Sequence, residues 1–82
     1  MSTAAPKALD VRPLPADRKL PTVLAIFEDL DVGDSFVLVD NSDPAALRAG
    51  IQAERPGEVR WVVLEEGPPV WYVRVRRRRL SV

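Results

Sequence analysis

The chain has no cysteine and no histidine among its 82 residues. Without cysteine there are no disulfides, thiol nucleophiles, persulfides or thiolate metal sites. Without histidine there is no imidazole, the usual side chain for general acid–base work near neutral pH and the commonest metal ligand. A cysteine-free chain fits a reducing compartment, and the expected localisation is cytoplasmic. Aromatic residues are few: two tryptophans, one tyrosine and two phenylalanines. Long apolar runs are missing too. The longest, such as Phe36-Val37-Leu38-Val39, are strand-sized and far short of the ~20 residues of a membrane span. Met1–Lys7 has no apolar signal segment and reads as a flexible lead.

What is present amounts to one small domain. A chain of this size buries roughly 60% of the surface that its unfolded form exposes, so its core is thin. Net charge is zero, but the charge is unevenly placed. Residues 74–82 hold five arginines and no acid, leaving the body at −5. An acidic body with a basic end is the strongest electrostatic feature of the sequence.

Hydrophobic spacing sets out the elements. Ala8-Leu9-Asp10-Val11 alternates and predicts a short first strand. Pro13 and Pro15 end it and predict no helix before about residue 18. Leu20, Val23, Leu24, Phe27 and Leu30 then trace one face of a helix, with Pro21 expected in its first turn. Gly33 marks the exit turn. Ser35–Val39 is apolar on both faces and predicts a central strand. Asp43 is the expected cap and Pro44 the first residue of a second helix through Glu54, with Leu47, Ile51 and Gly50 inward; Gly50 would let the helix approach the sheet. Val59–Leu64 and Val70–Arg76, joined by Glu65-Glu66-Gly67-Pro68-Pro69, read as an antiparallel hairpin. Trp61 and Trp71 fall on apolar strand faces and read as core.

The expected fold is α+β, a two-layer sandwich of order β-α-β-α-β-β. Right-handed crossovers put both helices on one face of a four-stranded mixed sheet. The expected boundaries are 1–7 for the lead, 8–76 for the domain and 77–82 for a basic tail. The sheet's other face would be left open, lined by Val37, Val39, Val62 and Tyr72.

A series of short motifs carries a family resemblance. It comprises Leu9-Asp10-Val11-Arg12, Leu14-Pro15, Gly33 through Val39, Asp43-Pro44, Glu54-Arg55-Pro56-Gly57, Trp61, Glu66-Gly67-Pro68 and Trp71. In this order they resemble an uncharacterised bacterial domain-of-unknown-function family, number 2249, often fused to hemerythrin-like domains. The resemblance implies a relative of the TusA/SirA sulfur-carrier fold and a setting in redox or respiratory metabolism. Two departures stand out. The family pattern has histidines where this chain has Leu20 and Ser42, so a metal or haem-type ligand held by them is lost here. The sulfur carriers act through a cysteine at the start of the first helix, and this chain has none, so it cannot carry a persulfide.

The candidate sites follow from charge. Strands one and two, if adjacent, bring two helix N-termini to one edge, where Arg12 could join them in holding a small anion. The plainer account there is an Arg12–Asp43 ion pair beside a capped helix. Paired acids at Glu28/Asp29 and Glu65/Glu66 point different ways and make no catalytic dyad. The run of Arg74, Arg76, Arg77, Arg78 and Arg79, with Tyr72 nearby, reads as a solvated protective end, a nucleic-acid contact, or a contact with an acidic partner such as another copy's acidic body. The sequence therefore reads as a non-enzymatic accessory domain, without cofactor or metal, that docks on a protein partner. A homodimer through the open sheet face, nucleic-acid association and small-anion binding are the alternatives, and no membrane role is expected.

Overall fold

A computed structural model describes residues 8–80. The lead at 1–7 and the last two residues of the expected tail lie outside the described residues. The elements run β1 (Ala8–Asp10), α1 (Ala16–Asp29), β2 (Ser35–Asp40), α2 (Ala45–Glu54), β3 (Val59–Glu65) and β4 (Trp71–Arg77). The four strands form one sheet in the order β1-β2-β4-β3. β1 runs parallel to β2, and β4 is antiparallel to both of its neighbours. β2 is central, as its two apolar faces require.

Alternation along the central strands builds the core. Phe36 and Leu38 of β2, and Val73 and Val75 of β4, are fully buried against the helices. Val23 and Phe27 of α1 and Leu47 and Ile51 of α2 close the layer from above. Burying each of these large side chains contributes about 1.5–3 kcal/mol.

α1 starts earlier than the prolines suggest. Pro15 stands at the cap, and its carbonyl accepts the N–H of Arg18 at 2.9 Å. Pro21 therefore lies inside the helix rather than in its first turn. Pro21 and Asp17 are both exposed, so water can take the Asp17 carbonyl that Pro21 cannot bond. Gly50 also acts differently from expectation. A Cβ there would sit 2.5 Å from Leu20 Cδ2, so the missing side chain lets α2 approach α1, not the sheet. At the start of α2, Asp43 Oδ1 accepts the Ala45 N–H at 3.0 Å and Pro44 precedes the first helical residue.

Arg77, expected to open the tail, is the last residue of β4. Its side chain turns to the helix side. Nη1 donates to the carbonyls of Glu28 and Leu30 at 3.0 and 2.8 Å, and the guanidinium lies 5.8 Å from the centre of the Phe27 ring. A cation at these carbonyls satisfies the end of α1 and opposes its dipole. The backbone of Arg77 also bonds Gly33 and Asp34, which extends the β2–β4 pairing into the exit turn. Gly33, at φ 96°, holds a conformation there that other residues avoid.

Candidate functional site

β1 and β2 end side by side, and α1 and α2 begin beyond them. At this edge the expected Arg12–Asp43 pair does not form. Arg12 folds back onto Asp10 two residues away, its Nη2 2.6 Å from Asp10 Oδ2. A fork two residues from its carboxylate reaches it with little ordering of the chain, so the local pair wins. Asp10's carboxyl is held below its ordinary value, first by the Arg12 side-chain hydrogen bonds and then by the Arg12 N–H. The deeper part of the edge is filled by the protein's own carboxylate. Asp40, 1% exposed, accepts from Lys19 Nζ at 2.7 Å, and from the Ser42 N–H and Oγ at 3.3 and 3.4 Å. Lys19 thereby ties α1 to the β2–α2 turn.

Trp61 packs against the edge of the core, as expected, whereas Trp71 stands outside the core cluster. Both are half-buried, and both line a groove of about 240 Å³ with Asp43, Pro44, Ala45, Arg48, Val63 and Glu66. A helix of α2's length spans about 15 Å, whereas a strand of seven residues spans about 23 Å. α2 therefore does not reach over Trp71 at the turn end of the hairpin, and Trp61 is left half-open because β3 is the edge of the sheet. Gly67 lies under Trp71, where a Cβ would come within 2.7 Å of the indole ring. β3, which carries Trp61 and Val63 of the groove, is an edge strand. Its consecutive residues Val62, Val63 and Leu64 are 37%, 49% and 50% exposed. Reading both tryptophans as core hid the groove. The groove depends on the strand order that sets β3 at the sheet edge, which no local spacing carries.

The opposite face of the sheet is open. Tyr72, Arg74 and Arg76 project from β4 between Val39, Val37 and Ser35 of β2 on one side and Glu65, Val62 and Arg60 of β3 on the other. Val39 is buried and Val37 half-buried, so the apolar lining expected here is mostly covered by longer neighbours. Arg74 Nη1 donates to Ser35 Oγ at 3.0 Å, and Arg76 Nη1 to the Gly33 carbonyl at 2.7 Å. Arg60 adds a positive charge that the arginine run in the sequence does not include. Arg78 and Arg79 follow β4 and are exposed.

Of the sequence candidates, Tyr72, Arg74 and Arg76 thus share one surface. Asp43 belongs to the groove, Arg12 to the β1 edge and Arg77 to the helix side. No helix is long and apolar enough to cross a membrane, and no group of three or more acids among the described residues is placed to hold a metal.

Comparison with curated proteins gives no match. Among solved structures, the solution structure of HP1264 from Helicobacter pylori matches with a TM-score of 0.74. The match covers 89% of this chain and 99% of that one at 16% identity, a likeness of fold. Over residues 8–77, the whole span from β1 to the end of β4, the chain belongs to the family described as Uncharacterized conserved protein (DUF2249).

Proposed function

We propose that this domain is a non-catalytic binding module that docks on a protein partner through β3 and the two-tryptophan groove. The observation that carries the reading is an edge strand with three consecutive exposed apolar residues, bordering a groove lined by both indoles. An edge strand offers unpaired N–H and C=O groups to an extended segment. Strand addition supplies the backbone hydrogen bonds, and pockets beside the edge take alternate side chains. Half-buried tryptophans are the side chains that most often dominate such contacts. A chain with neither imidazole nor thiol is suited to act by contact rather than by turnover. The suggested setting in redox or respiratory metabolism, in a reducing cytoplasm, rests on the family resemblance and the composition.

Face-to-face pairing of two copies through the open sheet is disfavoured. It would set Arg60, Arg74 and Arg76 against their own counterparts.

The test compares variants in capture from an extract of the native cell. Val63→Lys puts a charge on the edge, Trp61→Ala empties part of the groove, and Arg74→Ala alters only the opposite face. A partner retained by the parent protein and by Arg74→Ala, but lost by the other two, supports the reading. Titrating that purified partner should also change tryptophan emission, because both indoles line the groove. Retention by Val63→Lys and Trp61→Ala together refutes it.

A further inference from the structure

Every ion pair among the described residues involves Arg12, Lys19, Arg55 or Arg77. Arg60, Arg74 and Arg76 have no carboxylate partner among the described residues, yet these three share the open face of the sheet. Arg60 and Arg76 are direct cross-strand neighbours. Like charges placed directly opposite destabilise a sheet, and here no acid between them offsets the cost. Two of the three make one hydrogen bond each, to Ser35 Oγ and to the Gly33 carbonyl. A guanidinium has five N–H donors, so most of the donor capacity on this face is unused within the fold.

We propose that this face binds single-stranded nucleic acid. The arrangement favours a linear polyanion over a single small anion. Arg74 and Arg76 repeat along β4 at about 7 Å, two strand residues, and the exposed Arg78 and Arg79 continue beyond the strand. Tyr72 sits one step further along the same row. Its ring gives a base a surface to stack on, while Val37 and Val62 flank Arg74 with apolar floor. Strands that alternate arginine with apolar or aromatic residues join phosphate contact to base stacking, and stacking is something an acidic peptide does not use. Glu65, opposite Tyr72, and the Arg12–Asp10 pair near β1 mark where the positive row ends. The surface shares Val62 with the β3 edge but is separate from the tryptophan groove, which lies on the other side of the sheet.

The experiment measures fluorescence anisotropy of a labelled single-stranded oligothymidylate against salt, with poly-glutamate as competitor. The parent protein is expected to bind with an affinity that falls as salt rises. Arg60→Ala, Arg74→Ala and Arg76→Ala should each flatten the logarithmic salt slope by about 0.7. Tyr72→Leu should weaken binding roughly 5- to 150-fold at an unchanged slope. Trp61→Ala should leave both quantities as they were, which separates this surface from the groove. Arg74→Lys keeps the charge and should keep the slope, so it serves if the alanine variants prove less folded by thermal melting. No binding by the parent at low salt overturns the proposal. So does poly-glutamate competing equally well per charge with Tyr72→Leu behaving as the parent, which would make the surface a dock for acidic protein. Binding that depends on Arg78 and Arg79 but not on Arg60, Arg74 or Arg76 also overturns it.

Discussion

On the helix side of the two central strands, Phe36, Leu38, Val73 and Val75 have no solvent exposure. One residue along on the same strands, Val37, Arg74 and Arg76 remain half-exposed with no helix above them. The two faces share a backbone and a hydrogen-bond ladder, so the difference lies in what covers them. On the covered side, side chains hold the fold together. On the open side, long cationic side chains lie over short apolar ones and keep their charged ends in water. The division means that stability and binding can be altered separately, by substitutions only one residue apart.

The largest expected effect is on the covered side. Phe27→Ala removes a fully buried ring between the helices and the sheet. It should cost about 3–5 kcal/mol, a large share of what a domain this size has. A urea midpoint close to the parent's would show that the helix layer contributes little, and the contrast between faces would fail. Next comes Lys19→Met, which leaves Asp40 buried with hydrogen bonds only from Ser42. It should cost about 3 kcal/mol, and adding Asp40→Leu should restore much of the loss, because two buried charges replaced by apolar groups are often tolerated. A double variant as unstable as the single one would contradict this account.

Gly50→Val should fall below these, at about 1–3 kcal/mol, because its side chain must displace Leu20. Gly50→Ala should be milder, since Leu20 can change rotamer and alanine favours the helix. Equal cost for the two would mean that the glycine serves something other than the α1–α2 contact. On the open face, Arg76→Ala should change stability by less than about 0.5 kcal/mol, and a small gain is expected from relief of Arg60. A loss as large as that of Phe27→Ala would show that this face is structural.

The smallest effect belongs to Asp10→Asn, read by acid titration. Hydrogen bonds from Arg12 hold the folded Asp10 below its ordinary value of 3.8. Its contribution is therefore complete above that value and is lost as pH falls through the lower folded one. The parent and Asp10→Asn should differ slightly near neutrality and converge in strong acid; divergence in acid would reverse the sign.

Much of the architecture could be read from residue spacing. Apolar residues on both faces of Ser35–Val39 located the central strand, and the Leu20–Leu30 stripe located the first helix. The helix start was misread because proline signals cannot tell a solvent-facing interior position from a first-turn one. The Arg12 partner was misread because three acids, Asp10, Asp40 and Asp43, stand at that edge, and only the path of the turn decides among them. The arginine run looked like a single basic end. Strand alternation in fact divides it, sending Arg77 inward to the end of α1 and Arg74 and Arg76 outward.

By itself, the amino-acid sequence determined the element order, the missing chemistry and the faces along which each strand divides, because these depend on local spacing and residue type. Tertiary structure alone decided that Arg60 joins Arg74 and Arg76, that Asp40 meets Lys19, and that both tryptophans border a groove. These features arise from strand order, which sets β3 at the edge and β4 between β2 and β3. Such relations hold between residues far apart in the chain, and periodicity within one segment does not encode them.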